Sequence, residues 1–307
     1  MAARRAPPGR AVGGRPTMED DLRGLPTHGV AKETLLKIYV VCDLEGVAGV
    51  VDHHQQCRWD VAAGWYAPYL AQARRLATLE LNALVEGALE GGATEIVAWD
   101  GHGNFPGGLD VERLHPACTV VMGAGDGGPA GLDARFAGLF QLGLHAMAGA
   151  PRAVLAHSFD DSLVGYWVDD VRVGEIWMNC YSAGQVHVPS VFLSGDRAAA
   201  DEVRALVPEI EVAVVKEGLA EHADGLSVSP TLSLAPRKAR SVIRAAARRA
   251  MAKIGSVPPF RPEPPFRLRA QFTAERHAEQ RAGQPQVRRL DPLTVEMERV
   301  DHPWLLL

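Results

Sequence analysis

Residues 36–50 read LKIYVVCDLEGVAGV, and this stretch decides the fold. It begins with a short apolar, β-branched run over residues 37–42, which has the length and composition of a buried strand. Asp43 and Glu45 follow at once, two positions apart, so both side chains can lie on the same side of the chain. Carboxylates beside a buried strand are costly unless a cation or several donors compensate them. Asp43 and Glu45 therefore require partners from elsewhere in the chain.

The composition excludes several classes of protein. The chain has 307 residues, of which 47% are hydrophobic and 22% are charged, as in a soluble enzyme of one large or two medium domains. A net charge of −5 favours neither a nucleic-acid partner nor an anionic membrane, and no apolar run reaches the ~20 residues of a membrane helix. The 4 cysteines show no CxxC spacing, which indicates reduced thiols in a cytoplasmic protein.

Three regions differ in composition. Residues 1–34 are rich in Arg, Gly and Pro, and we expect a disordered extension in which Met18 is an alternative start. A transit peptide is the other possibility, but its amphipathic helix would be interrupted by prolines and glycines. Residues 35–200, in which acidic residues and histidines follow predicted strands, are expected to form a metal-binding α/β catalytic domain. Residues 201–307 are expected to form a smaller α/β domain that shapes assembly or substrate access.

A strand, a helix and a second strand follow one another directly after residue 36. Apolar residues recur at helical spacing from 70 to 88, with Pro68 expected in the first turn, and Gly91-Gly92 ends the helix. Residues 94–99 form the second strand. Such a unit pairs its strands in parallel. We therefore predict an α/β fold with a largely parallel central sheet and flanking helices, plus a smaller C-terminal α/β portion.

Acidic and histidine side chains recur where the predicted strands and turns end. These residues are Asp43, Glu45, His102, His145, His157 and Glu175. Open α/β sheets bind their ligands at the carboxyl ends of the strands. Taken singly, each residue has an ordinary explanation, such as a core histidine, a turn cap or a helix-start acid. Together they are the mixture of carboxylates and imidazoles that suits Zn²⁺ and similar divalent ions.

The number of candidate ligands favours two ions over one. Five or six groups exceed what one four-coordinate zinc needs, whereas two ions that share a carboxylate would use them all. A pair of ions ~3.5–4 Å apart lowers the pKa of a shared water and polarises a carbonyl group. The sequence therefore indicates a metal-dependent hydrolase.

Two other segments are candidate sites. His53 and His54 lie in the polar segment 52–65, and an exposed loop or a substrate-side lid is favoured there over a metal site. Residues 123–131 are rich in glycine but lack both a Lys-Ser/Thr end and a GxGxxG register, so a flexible loop is expected and nucleotide binding is the weakest function.

Five segments, in this order, resemble the D-aminopeptidase (DppA-type) family of zinc peptidases: DLEGVAG, WDGHGN, GLHAMAG, AHSFDD and VGEIWMNCYSAG. The resemblance runs from about residue 37 to about residue 216, with a looser continuation through the basic helix that starts at Arg237. Residues 1–34 and the stretch after Pro258 are not covered. The resemblance implies two Zn²⁺ per subunit, although another divalent metal could serve.

The resemblance also implies roles for individual residues. Asp43 would bridge both ions, and two pairs would complete the two sites, namely Glu45 with His145 and His102 with Glu175. His157 would act in catalysis, by proton transfer or by stabilising the tetrahedral intermediate, and not as a ligand. The family is known as a ring-stacked homodecamer, which implies a homo-oligomer here. The implied substrate is a small amide or a short D-peptide of the D-Ala type.

The substrate pocket is less determined. Asn179 and Lys216 are candidates for binding a substrate carboxylate or amine, with a polar helix position and a strand-end surface lysine as the alternatives. Trp167 and Trp177 are expected to add bulk near the site. Three functions stay open: an aminopeptidase on D-amino-acid peptides, an amidohydrolase of a non-peptide amide, and a non-catalytic metal-binding ring protein. Release of alanine from D-Ala-D-Ala-type peptides would separate the first two.

Overall fold

The computed structural model describes residues 35–103, 105–123, 127–220 and 230–307. Residues 35–307 form one compact unit. The extension expected over residues 1–34 lies outside the described residues, and the division expected at residue 200 stays a prediction.

Strands and helices alternate along the chain. The strands are β1 (Lys37–Cys42), β2 (Trp59–Asp60), β3 (Trp65–Tyr66), β4 (Glu95–Asp100), β5 (Cys118–Val121), β6 (Gly138–Leu144), β7 (Leu163–Val168), β8 (Val171–Val173), β9 (Ser190–Asp196), β10 (Glu211–Gly218), β11 (Thr231–Ser233), β12 (Phe266–Phe272), β13 (Arg288–Asp291) and β14 (Thr294–Val300). The helices are α1 (His53–Gln56), α2 (Leu70–Glu90), α3 (Glu175–Gln185), α4 (Arg197–Leu206), α5 (Pro236–Met251) and α6 (Glu275–Ala282), with a 3-10 turn at Val111–Arg113.

The larger sheet is mostly parallel, as predicted. Its strand order is β11-β10-β9-β6-β1-β4-β5, and among these strands β11 runs antiparallel to its neighbour β10. Cys42 at the end of β1 lies opposite Asp100 of β4 and Leu142 of β6. The carboxyl ends of the three central strands are therefore level, and the residues that follow them meet at one edge.

Helix α2 covers this sheet with the predicted apolar face. Its residues Ala73, Leu81 and Leu84 are buried, and Gly91 caps its end. The expectation that Pro68 lies in the first turn is wrong, because the helix begins at Leu70 with Tyr69 as its N-cap. The Tyr69 N–H instead donates to the Gln55 carbonyl, which holds the preceding turn outside the helix.

The second sheet has the order β13-β14-β12-β7-β8 and is antiparallel. In β12, buried residues alternate with more exposed ones. The β7–β8 hairpin turns through Asp169 and Asp170, whose φ angles of 50° and 68° are those of a type I′ turn. An apolar cluster that includes Tyr166, Met178 and Phe266 packs beneath this sheet.

The basic helix α5 packs against α2 instead of standing alone. Its buried residues include Ile243 and Ala246, which belong to the larger apolar core. Among the helices of the described residues, none combines the length and apolar character that a membrane crossing requires.

Replacing Gly87 with alanine is expected to lower the free energy of unfolding by about 1–3 kcal/mol. A methyl group at Gly87 of α2 would collide with the main-chain carbonyl of Arg244 in α5. In an open helix interior the same change stabilises, by roughly 0.5–1 kcal/mol. Urea unfolding followed by circular dichroism measures whether the free energy of unfolding falls or rises.

Gly283→Ala is the matched control. A methyl group there would find its nearest neighbour at 3.5 Å, an ordinary contact, so a change within about 0.5 kcal/mol is expected. A Gly87→Ala protein as stable as the parent would contradict the close approach of α2 and α5.

Candidate metal centre

The turn after β1 is fixed against the end of β6. The Asp43 N–H donates to the Leu142 carbonyl over 2.9 Å, and the Gly46 N–H donates to the Gly143 carbonyl over 2.6 Å. Gly46 is required here, because any side chain would collide with the backbone of β6. The turn therefore carries Asp43 and Glu45 directly beside the residues that follow β6.

His102, which follows β4, faces both acids of this turn. Its Nδ1 lies 2.9 Å from Asp43 Oδ1 and 3.0 Å from Glu45 Oε2, while its Nε2 lies 2.9 Å from the Cys57 carbonyl oxygen. A carbonyl oxygen can only accept, so Nε2 carries a hydrogen and donates it. The lone pair of Nδ1 in the neutral ring then points at two carboxylates, an arrangement that needs a proton or a metal cation between them.

His145, which follows β6, has the same arrangement. Its Nδ1 donates to the Ala146 carbonyl over 3.0 Å. Its Nε2 lies 3.4 Å from Asp43 Oδ2 and 3.2 Å from Glu175 Oε2, and this buried atom has no hydrogen-bond partner among the described residues. Glu175 begins α3 and accepts the Phe159 N–H over 2.8 Å. The two oxygens of Asp43 thus face different histidines.

His157 stacks on His145, with ring centroids 3.9 Å apart and planes inclined by 16°. Its Nδ1 donates to the Leu155 carbonyl over 2.9 Å, which leaves Nε2 without that proton. Leu155 and Phe159 have φ angles of 60° and 66°, a conformation that bulky side chains rarely adopt. Such strain gathers at functional sites, and here it brackets His157.

Opposite charges face one another in the cluster. Burial alone would raise the pKa of the Glu45 carboxyl, but the His102 imidazole outweighs burial and holds that pKa well below its usual range. Burial likewise opposes charge on His102, yet Glu45 raises the His102 pKa well above its ordinary value. His145 lowers the pKa of Glu175 to about 2 against the effect of burial. Each acid thus favours a positive charge on the histidine that it faces, and each histidine favours the ionised acid.

The residues fit a divalent metal ion. Two ligand atoms of one tetrahedral zinc lie about 3.3–3.4 Å apart, and the nitrogen-to-carboxylate distances of His145 are 3.2 and 3.4 Å. Both oxygens of Glu45 are buried without a hydrogen-bond partner in the described residues. Three sets have ligand atoms within 4.8 Å of one another: Asp43, Glu45 and His102; His145, His157 and Glu175; and Glu45, His53 and His157.

The grouping differs from the one that the resemblance implies. Glu45 lies beside His102, and Glu175 lies beside His145, whereas the implied sites pair Glu45 with His145 and His102 with Glu175. The structure brings all five implied ligands to one place. Their allocation to two ions stays a prediction.

A cavity of about 530 Å³ opens above the cluster. Predicted residues in its lining are Asp43, Glu45, His102, His157, Glu175 and Asn179. His53 also lines the cavity. Of the two alternatives favoured for this segment, a substrate-side position agrees with His53 and an exposed loop does not, because its side chain is 12% exposed and lies 3.3 Å from Glu45. Asp52 caps α1 by accepting the Gln55 N–H; within this one turn His53 lies against Glu45 while His54 is exposed.

Lys216 does not line this cavity. It is 2% exposed, so its interpretation as a surface lysine is wrong, and its ammonium donates to the carbonyls of Glu45 and Val50. Asn179 is buried in the cavity wall, where its Nδ2 donates to Gln141 Oε1 over 3.2 Å. The substrate-binding roles of both residues stay predictions, but only Asn179 is placed to contact a substrate.

The aromatic residues near the site are not the expected ones. Trp167 and Trp177 are absent from the described cavity lining, and Trp177 instead stacks on Tyr181 in the second apolar cluster. Trp59 and Trp304 line the cavity, and the Trp59 ring lies 5.3 Å from that of His102. Trp304 comes from the last residues of the chain, and no local pattern distinguished it.

Comparison with known proteins identifies relatives of this chain. The peptidase M55 family model, described as D-aminopeptidase, matches residues 36–304, so the stretch after Pro258, which the resemblance left out, belongs to the match. A D-aminopeptidase of Bacillus subtilis (strain 168) is 32% identical over 192 residues, which span 61% of this chain and 66% of that protein. This aligned region is just under two thirds of the relative's length.

A solved structure has a similar fold over most of the chain. It is described as the Zn-dependent D-aminopeptidase DppA from Bacillus subtilis, a self-compartmentalizing protease. The match has a TM-score of 0.74 at 28% identity and covers 87% of this chain and 92% of the other. The family match over residues 36–304 and this shared fold establish that the chain belongs to the D-aminopeptidase family of zinc-dependent peptidases.

Proposed function

We propose that this protein is an aminopeptidase that holds two zinc ions and cleaves short peptides with an N-terminal D-amino acid. One observation supports this most directly. His102 and His145 each bond one ring nitrogen to a main-chain carbonyl and turn the other toward two carboxylates. That pattern fixes the tautomer of a metal-binding histidine.

Asp43 is the residue placed to be shared. Its Oδ1 faces His102 and its Oδ2 faces His145, so Glu45 and His102 would complete one position, and His145 and Glu175 the other. When bound, the ions would polarise the substrate carbonyl and lower the pKa of a water molecule.

His157 is placed to carry the proton. Its Nδ1–H bond to the Leu155 carbonyl and its stacking on His145 fix the ring, so that Nε2 offers a lone pair to the cavity. Nε2 takes a proton from the attacking water while the new C–O bond forms. It then gives that proton to the leaving nitrogen as the C–N bond breaks.

The cavity wall suits a small peptide with a free amino terminus. Trp59, Trp99 and Trp304 provide apolar surface in the cavity wall. Asp160 and Asp161 lie in the lining with one basic side chain, Arg58, which pairs with Asp161 at 3.2 Å. The remaining negative charge favours the ammonium group of a substrate.

We also propose that the chain assembles into a closed homo-oligomer of itself, with the ten subunits that the resemblance implies. The matched structure is described as self-compartmentalizing. The hairpin of β2 and β3 offers an apolar surface for a second copy, because Val61, Trp65 and Tyr66 are 52%, 45% and 48% exposed. Exposed apolar groups on one hairpin indicate an interaction surface.

The first test measures peptide hydrolysis by the protein with and without zinc. We expect zinc-loaded protein to release alanine from D-Ala-D-Ala at least ~10²-fold faster than from the L,L peptide. Chelation should abolish turnover, and added zinc should restore it. Hydrolysis of non-peptide amides alone would favour the amidohydrolase instead. Bound zinc without turnover of any amide would favour a non-catalytic protein.

The second test concerns His157. His157→Ala should retain about two zinc ions per chain and lose roughly 10²-fold or more in kcat, as expected for a proton-transfer group. His54→Ala is the matched control, because His54 is an exposed histidine outside the cavity lining, and its kcat should stay unchanged. Loss of a tightly bound zinc from His157→Ala would refute the proton-transfer role and indicate a ligand.

The third test concerns assembly. Replacing Trp65 and Tyr66 together with serine should lower the mass measured by light scattering to a fraction of the parent's, because the apolar contact is lost. Leu232→Ser, at a leucine that is 62% exposed on β11, is the control and should leave the mass unchanged. A monomeric parent, or an unchanged mass in the double variant, would refute this interface.

A further inference from the structure

Glu45 presents its two oxygens to two different histidines. Oε2 lies 3.0 Å from His102 Nδ1, within the cluster already described. Oε1 lies 3.3 Å from Nε2 of His53. His157 completes this second side, since ligand atoms of Glu45, His53 and His157 all lie within 4.8 Å of one another.

The contact between Glu45 Oε1 and His53 Nε2, at 3.3 Å, is longer than the ~2.9 Å of a typical N–H···O hydrogen bond. Oε1 of Glu45 is buried and lacks a hydrogen-bond partner among the described residues. Leaving such a group without a partner is costly. The 3.3 Å separation is the distance between two ligands of one tetrahedral ion. Glu45 Oε1 and His53 Nε2 are therefore arranged more like two ligands of one ion than like a hydrogen-bonded pair.

Hydrogen bonds between a neighbouring side chain and the backbone fix the short helix that carries His53. Gln56, in the same short helix α1, donates to the Gly49 carbonyl and accepts the N–H groups of Val51 and Asp52. These bonds tie α1 to the turn that carries Glu45. His53 is thus held at the cavity wall, and its ring lies 5.5 Å from that of His157.

We propose that Glu45 Oε1, His53 Nε2 and His157 Nε2 form a third cation position, which takes zinc or a similar divalent ion at higher concentration. Two imidazoles and one carboxylate oxygen select zinc over magnesium. The position is weaker than the other two, because Glu45 is shared and resident ions repel a third.

Filling this position inhibits the enzyme. This consequence rests on the proposed function, in which Nε2 of His157 must be free to accept a proton. An ion bound to that lone pair prevents the transfer. The third position is therefore inhibitory. His53 is required for this position and not for the two others.

Zinc binding tests the proposal directly. In equilibrium dialysis followed by metal analysis, the parent should bind about two zinc ions tightly and a third at higher free zinc. His53→Ala and His53→Gln should keep the two tight ions and weaken the third at least ~10-fold. His54→Ala should bind like the parent. Retention of the two tight ions shows that each variant is folded.

Hydrolysis gives the second readout. High zinc should slow the parent and His54→Ala, and should slow the His53 variants much less. Saturation of the parent at two ions, or equal third-ion binding in the parent and the His53 variants, would overturn the proposal. If no amide is hydrolysed at any zinc concentration, the proposed function fails, and the binding data alone still decide whether the third position exists.

Discussion

Buried negative charge at one edge of the larger sheet is the constraint on which the site depends. Asp43 and Glu45 are 8% and 0% exposed, and Glu175 joins them from the start of α3. Removing an ion from water costs several kcal/mol even after a protein relaxes around it. The nearby ammonium of Lys216 is already bonded to main-chain carbonyls. Histidine protons, or metal ions in their place, must therefore neutralise the three carboxylates.

The fold meets this constraint by making the turn rigid. Ala48 donates its N–H to Glu80 in α2, Lys216 of β10 bonds two carbonyls of the turn, and Gly46 lies against β6. Burial raises the pKa of Glu80 to about 8, because this carboxyl lies in the apolar interior. Elements from three parts of the chain thus hold one short turn. A ligand set held in this way is arranged before any ion arrives.

The residues at the strand ends could be predicted from the sequence, because each of them comes soon after an apolar run in the chain. Asp43 and Glu45 succeed an apolar run, His102 succeeds the next, and parallel pairing brings such ends together. Glu175 was recognisable as the start of a helix. His145 and His157 were recognisable only as parts of the set, since each alone resembles a core histidine.

Residues that reach the site through tertiary packing could not be predicted in this way. The direction of His53 depends on how Asp52 and Gln56 fix one short turn against the segment before it. Trp304 enters the cavity from the far end of the chain, while Trp177, which is close to Glu175 in sequence, packs into the other apolar cluster. Helix periodicity separates Trp177 from Glu175, because residues two apart do not share a helix face. The metal-binding edge is thus set by topology, and the substrate wall by packing.

The stacked pair of His145 and His157 shows how neighbours assign different chemistry to the same side chain. The rings are 3.9 Å apart, so two positive charges would repel strongly. Glu175 and Asp43 outweigh burial and raise the pKa of His145, whereas burial and the facing His145 lower the pKa of His157. Positive charge therefore belongs on the His145 side, whether a proton or an ion carries it. That charge disfavours a proton on the neighbouring Nε2 of His157, and an unprotonated nitrogen is what the proposed proton acceptor needs.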